Sequence, residues 1–202
     1  MPRHRHGPAG QLTSYSDPEL SKYLRTSFAK SMGYKEDRAV VFDSPDDVAA
    51  RIDDPQLDVG PDDFLVMRNA GPASQSAMPE AGYLPIPEKP AQERVGDMGR
   101  ISDARMSGTA FGTVVLHVAP EAAIGPPPAL VRNGNRVRLS MARLRLDLVV
   151  DDRELASRRE MLERSSKDED AGRGYGQLHV REIMQADTGC DFRFMRPAGL
   201  AG

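Results

Sequence analysis

The stretch "RISDARMSGTAFGTVVLHVAPEA" (residues 100–122) places a polar cluster directly before an apolar run. Ser102, Asp103, Arg105 and Ser107 come first, and small residues follow them. The run "GTVVLHV" then has the short length and β-branched composition of a buried strand. A rigid strand next to a turn can hold a reactive side chain in place and exclude water from it. The stretch therefore predicts a polar turn at the end of a strand.

Length, charge and cysteine content narrow the class of protein. A chain of 202 residues is long enough for one or two domains. Its 27 Lys and Arg against 30 Asp and Glu argue against a nucleic-acid partner, which requires a clustered basic face. The single cysteine, Cys190, excludes an intrachain disulfide and a thiolate metal cage, and it favours a reducing, cytoplasmic location.

Hydropathy gives no sign of a membrane partner or of a leader segment. No run approaches the roughly 18 apolar residues of a membrane span. The start "MPRHRHGPAG" lacks the apolar region of a secretory signal.

Several elements are predicted before the opening stretch. Residues 1–37 lack steady periodicity and are expected to be a flexible segment, with one short helix over "DPELSKYLRTSFAK". "RAVVF" and "DFLVMRN" are typical of strands. Between them, "SPDDVAARI" predicts a helix with Ser44 as its N-cap and Asp47 three residues later. The proline-rich residues 69–90 predict a long loop of the functional or disordered kind.

After the stretch the pattern is strongly β and then helical. The Asn133-Gly134 pair in "ALVRNGNRVRLS" predicts a hairpin between two strands, and "LRLDLVV" alternates like a half-exposed strand. "DDRELASRREMLER" predicts a helix with an apolar stripe of Leu155, Met161 and Leu162. "QLHVREIMQAD" predicts a short element of either type.

The polar turn and several other segments resemble a known family in the same order. These segments are "RAVVF", "ARIDDPQLDV", "FLVMRNAGP", "MPE", "SDARMSGTAFGTVVLHVAPEA", "ALVRNGNRVRL", "RLDLVVDDRELASRR" and "RGYGQLHVREIMQADTGCDF". Together they resemble the C-terminal domain of the dihydroxy-acid and sugar-acid dehydratases, which include phosphogluconate dehydratase. "DARMSGTA" is more similar to the arabonate and xylonate branch than to the branched-chain amino-acid branch.

The resemblance implies a fold and a domain division. The expected fold is α+β and mostly β: a barrel-like or swivelling β/β/α domain with a few flanking helices. It covers residues 38–195, which leaves residues 1–37 unmatched and 196–202 as a tail.

The resemblance also implies a reaction. Members of the family remove water from a 2,3-dihydroxy acid to give a 2-keto acid. Ser107 matches the base that takes the C2 proton, and a serine hydroxyl can do this only beside positive charge that stabilises its alkoxide. Thr109 matches a residue that binds the substrate carboxylate. Glu80 of "MPE" matches a ligand of Mg²⁺, which prefers hard oxygen donors.

The same residues also have structural interpretations. Ser107 can be a turn residue and Glu80 a solvated side chain. Asp103 and Arg105 are interpreted as a local ion pair that stiffens the turn. His117 is interpreted as a core histidine, Glu121 as a side chain that pins the following segment, and Cys190 as a small hydrophobe or idle thiol.

Two functions follow from what this chain contains. Full-length members of the family carry an iron–sulfur cluster, and one cysteine cannot hold it. The first hypothesis is a hydro-lyase domain that binds a sugar acid and needs an N-terminal half to supply the cluster. The second is a truncated, inactive remnant that serves as a binding module and covers its exposed face by forming a homo-oligomer.

Overall fold

The computed structural model describes most of the chain and places it in one sheet with flanking helices. It describes residues 11–14, 34–74, 84–105, 112–125, 127–140, 142–143, 145–165 and 174–196. The strands are β1 (Gln11–Ser14), β2 (Tyr34–Phe42), β3 (Phe64–Met67), β4 (Gly99–Ser102), β5 (Val114–Val115), β6 (Arg136–Ser140) and β7 (Arg145–Val149). The α-helices are α1 (Pro45–Arg51), α2 (Glu88–Gln92), α3 (Asp152–Ser165) and α4 (Tyr175–Glu182). Short 3-10 helices span Ala122–Ile124, Pro128–Leu130, Ala186–Thr188 and Arg193–Met195.

The sheet is mixed, and β2 joins its two halves. Its strand order is β1-β7-β6-β2-β3-β4-β5. The first half of β2 pairs antiparallel with β6, and its second half pairs parallel with β3. β4 and β5 continue the parallel half, so the carboxyl ends of β2, β3, β4 and β5 meet at one edge. The predicted α+β fold with a mostly β body is confirmed.

The parallel strands are buried on both faces. Along β2, Ala39 and Val41 face one apolar cluster, which β6, β7 and Leu155 of α3 complete. The alternate residues Val40 and Phe42 face a second cluster with Val48 of α1. Because successive side chains of a strand point to opposite faces, continuous runs such as "AVVF" are what a doubly covered strand requires.

Capping residues set the starts of the helices. The Ser44 hydroxyl accepts a hydrogen bond from the Asp47 amide at 3.0 Å, as predicted. The Asp47 carboxylate in turn accepts one from the Asp43 amide at 2.9 Å, which satisfies a second free N–H at this helix start. Asp151 has the same role for α3, since its carboxylate accepts from the Glu154 amide at 2.9 Å.

Two local predictions are wrong. The Asn133-Gly134 turn does not join two strands, because its first arm contains a 3-10 helix. The turn instead binds β2: the Asn133 side chain accepts from the Val41 amide at 2.6 Å, and the Gly134 amide donates to the Ala39 carbonyl. On α3, Met161 is 54% exposed and leaves the predicted stripe.

Other predictions meet the structure only in part. Strand β7 alternates as predicted, with Leu146 and Leu148 buried. The segment "QLHVREIMQAD", predicted as a short helix or strand, begins within the helix α4. The helix expected over residues 17–30 lies outside the described residues. None of the described helices combines the length and apolar character needed to cross a bilayer.

Candidate active site at the carboxyl ends of the parallel strands

Polar residues follow three of the parallel strands at their carboxyl ends. Asp43 follows β2, Arg68 and Asn69 follow β3, and Asp103 follows β4. Arg68 pairs with Asp43 at 2.5 Å and also donates to the carbonyl oxygens of Ala129 and Val131. Loops at such an edge are where α/β folds commonly bind ligands.

Asp103 connects three segments at this edge. Its side chain is 3% exposed and accepts hydrogen bonds from the backbone amides of Asn69, Ala70 and Ala122, at 3.0–3.1 Å. Burial raises the pKa of this carboxyl, while the three amides oppose the rise. Asp103 therefore holds the end of β3 and the segment after β5 against its own strand.

Glu121 connects the same edge to the turn formed by residues 71–74. Its side chain is fully buried, and its Oε1 accepts from the Ala73 amide at 2.8 Å and from the side-chain amide of Gln185. Its own backbone amide donates to the Gln185 side chain at 2.8 Å. Burial raises the pKa of Glu121, and the nearby Asp103 raises it further.

The segment 174–190 reaches this edge from the C-terminal side. Besides Gln185, His179 of α4 lies with its Nε2 3.1 Å from the carbonyl oxygen of Pro72, to which it can donate a hydrogen bond. Ile183 and Met184, just beyond α4, are buried. The turn 71–74 is therefore held by Glu121 and His179, from two segments distant in sequence.

The predicted site residues lie in the two segments that start at this edge. Glu80 follows the turn 71–74, and Ser107 and Thr109 follow Arg105. All three residues lie outside the described residues, so their assigned roles stay predictions. The structure describes the last residue before each segment. These residues are Ser74, which lies beside Glu121, and Arg105, which comes two residues after Asp103.

The predicted ion pair between Asp103 and Arg105 is wrong. Asp103 binds backbone amides, and Arg105 is exposed. Asp103 binds backbone amides instead of Arg105 because a buried carboxylate gains more from several converging N–H groups than from one exposed guanidinium.

His117 matches its interpretation as a core histidine only in part, because it is half-buried and belongs to neither apolar cluster, and Cys190 is also half-buried. His117 is half-buried, with a φ of 54°, and burial lowers the pKa of its ring. Burial raises the pKa of the Cys190 thiol, and the nearby Glu121 and Asp187 raise it further, which keeps the thiol protonated.

The described residues do not by themselves fit a metal cofactor. Within the ranges that the structure covers, no three His, Cys, Asp or Glu side chains converge on a point where they could hold an ion. An iron–sulfur cluster requires several thiolates, and the sequence has one cysteine.

Sequence reasoning did not identify Gln185, His179 or the amide of Ala73 as parts of this edge. Their contacts span 64, 107 and 48 positions of sequence, respectively. No local periodicity or capping signal reports on contacts at such separations. The assignment of Glu121 as a pinning residue holds in part, because it pins the earlier turn 71–74.

The described residues thus form a loop-borne polar cluster at the carboxyl ends of parallel strands, the kind of edge where α/β domains commonly bind ligands. A family model described as dihydroxy-acid/6-phosphogluconate dehydratase C-terminal matches residues 22–190. The chain belongs to this family, which confirms the resemblance stated from the sequence.

Individual relatives are similar over the same region. The chain is 46% identical to the 6-deoxy-6-sulfo-D-gluconate dehydratase of Pseudomonas putida, over 78% of this chain and 27% of the relative. It is 45% identical to the L-arabinonate dehydratase of Rhizobium leguminosarum bv. trifolii, over 79% and 27%. A dihydroxy-acid dehydratase of Syntrophobacter fumaroxidans is 33% identical over 79% and 28%. The chain thus spans about a quarter of the length of these relatives.

Proposed function

We propose that this chain is the C-terminal part of a sugar-acid dehydratase, which converts a 2,3-dihydroxy sugar acid to a 2-keto-3-deoxy acid. The observation that carries the proposal is the arrangement of the chain at the carboxyl ends of the parallel strands. In a chain of the dehydratase family, the segments bearing Glu80 and Ser107 both start from one edge, which two buried carboxylates hold together. The sugar-acid class is supported by identities of 44–46% to three relatives named for sugar acids, against 32–40% to three named dihydroxy-acid dehydratases. A D-xylonate dehydratase is 34% identical, so the support favours the arabonate type over the xylonate type.

The reaction assigns one task to each predicted site residue. The Ser107 alkoxide takes the proton from C2, and the electron pair left behind forms the C1–C2 double bond of an enolate. The enolate electrons then form the C2–C3 double bond as the C3–O bond breaks, and the departing hydroxide leaves as water, which balances the proton that Ser107 took from C2. The resulting enol gains a proton at C3 and loses the proton of its C2 hydroxyl to give the 2-keto acid. Thr109 binds the substrate carboxylate and orients the C2 proton toward Ser107.

Part of this chemistry requires groups from outside the chain. The proposed cofactors are Mg²⁺, for which Glu80 offers one hard oxygen, and an iron–sulfur cluster on cysteines of a second polypeptide. When bound, these groups supply the positive charge that stabilises the enolate and the departing hydroxyl. We propose that an N-terminal dehydratase half is the partner and that the site is cytoplasmic.

The test measures 2-keto acid formation from L-arabonate and D-xylonate. The chain is assayed alone and together with the part of the Rhizobium leguminosarum L-arabinonate dehydratase that precedes the matched region. We expect turnover only in the mixture. Ser107→Ala should lower kcat by about 10²–10⁴-fold, the usual contribution of a general base.

The control variant is Ser157→Ala, an exposed serine on α3 that lies away from the candidate site. It should retain most of the activity. If the wild-type mixture forms no keto acid with any sugar acid, the dehydratase proposal fails and the inactive binding module becomes the better account.

A further inference from the structure

We propose that Glu121 is a positioning residue of the candidate active site: it fixes the turn 71–74, and with it the start of the segment that carries Glu80. The inference rests on the proposed function, which gives that segment its role. Glu121 is the residue through which three distant parts of the chain meet, namely the segment after β5, the turn 71–74 and the segment after α4.

The first support is the contact between carboxylate and turn. The turn packs directly on the Glu121 side chain, because a Cβ built on Gly71 would overlap the Glu121 carboxylate. A glycine is therefore needed at this position for close approach. The Ala73 amide then donates to Oε1 at 2.8 Å, which sets both the distance and the orientation of the turn.

The second argument is that Glu121 is itself held in place by Gln185. Gln185 binds it twice, donating to its carboxylate and accepting from its backbone amide. This two-point pairing fixes the side-chain rotamer, as preorganised sites require. His179 holds the other side of the turn through the Pro72 carbonyl.

The third support is the cost of burying this carboxyl. Glu121 is 0% exposed, and its Oε2 accepts no hydrogen bond from the described part of the chain. A hydrophobic side chain would fill the space without that penalty. Oε1 accepts the hydrogen bonds from Ala73 and Gln185, and Oε2 packs against Gly71, so the carboxyl is retained for positioning at a cost in stability.

The experiment is amide hydrogen exchange on the whole chain, read by NMR for wild type and Glu121→Gln. The substitution keeps the shape and replaces a carboxylate acceptor by a weaker amide one. Exchange at Ala73 and Ser74, whose amides are hydrogen-bonded in wild type, should accelerate about tenfold relative to Val66 and Ile101. The Ala73 amide proton should also move upfield, a signature that global destabilisation does not produce.

The matched control is Asp63→Asn. Asp63 is 5% exposed and its carboxylate also accepts a backbone amide, that of Gly60 at 2.7 Å, but it precedes β3 at the opposite edge of the parallel strands. This variant should leave exchange at Ala73 and Ser74 unchanged. If Glu121→Gln does not fold, Gln185→Ala replaces it and should accelerate exchange at Ala73 in the same direction.

The inference is overturned if exchange at Ala73 and Ser74 in Glu121→Gln equals that of wild type, or if Asp63→Asn accelerates it equally. Ser107→Ala provides the separation from the proposed function. It should lower kcat by about 10²–10⁴-fold and leave the Ala73 signal in place, so a failure of the base assignment and a failure of the positioning role give different results.

Discussion

Asp103 and Glu121 are buried carboxyl groups whose partners are mostly backbone N–H groups. Such bonds satisfy the carboxylate while leaving no freedom in the segments that donate them. Both residues lie in the stretch 100–122, Asp103 directly after β4 and Glu121 after β5, and both reach back to the segment after β3. At the scale of the residue, the polar stretch therefore holds the edge together in addition to any chemistry it performs.

Asp103→Asn tests this role. Only one side-chain oxygen remains, so an N–H group of the asparagine meets a backbone N–H, at a cost of about 1–3 kcal/mol near pH 4. The folded-state pKa of Asp103 is raised, so its contribution is present below the ordinary carboxyl range and is lost as pH rises through the folded pKa. The difference in unfolding free energy between wild type and variant should thus shrink with rising pH.

Urea unfolding of both proteins from about pH 4 to about pH 7 measures this difference. A difference that grows with pH would mean that the charged carboxylate, and not its neutral form, is the form favoured in the folded protein.

At the scale of the element, glycine allows β3 and β4 to pair closely. Gly99 pairs with Phe64, and a Cβ at Gly99 would overlap the Phe64 ring. The ring is fully buried between the sheet and the first apolar cluster, so it has little room to move.

Gly99→Ala should lower the free energy of unfolding by about 1–3 kcal/mol, because the buried ring is forced off its rotamer. Gly96→Ala is the matched control: Gly96 has no atom within 4 Å of the added Cβ, and its change should stay within about 0.5 kcal/mol. Urea unfolding of the two variants compares them. Equal effects would show that the Phe64 ring does not restrict the strand pair.

The cap of α1 gives a second test at this scale. Ser44→Ala removes the acceptor of the Asp47 amide and should cost about 1 kcal/mol, whereas Ser44→Asn should recover most of it. Thermal unfolding of the three proteins measures the order. If asparagine and alanine destabilise equally, the hydrogen bond is not what the serine contributes.

At the scale of the whole molecule, β2 and β3 contribute residues to both apolar clusters. Leu65 lies in the cluster with α1, and Leu148 lies in the cluster with α3. Because the two clusters share strands, neither can be lost without exposing the other.

Leu65→Ala and Leu148→Ala should each lower the unfolding free energy by about 2–5 kcal/mol. Each should shift one common transition, followed by circular dichroism and by tyrosine fluorescence together. Two separated transitions in either variant would show that the clusters unfold independently.

Features that depend on contacts between residues close in sequence were predicted correctly, and features that depend on contacts between distant residues were not. The strand in "RAVVF", the alternation of β7 and the Ser44 cap involve residues within one or two turns of each other, and they were predicted. The hairpin at Asn133-Gly134 was not, because that turn binds β2, which lies 92 residues away for the contact of Asn133 with Val41. Met161 was misplaced because α3 is half-exposed and buries Arg158, whose guanidinium donates to the Leu130 carbonyl.

By itself, the sequence determined the family, the α+β class and the two segments that carry Glu80, Ser107 and Thr109, because local periodicity and motif order are written along the chain. Only the tertiary structure decided that Asp103, Glu121 and Gln185 hold one edge of the sheet together. The physical reason is that buried carboxylates take their partners from whatever backbone N–H groups folding brings near, and those groups belong to segments far apart in the sequence.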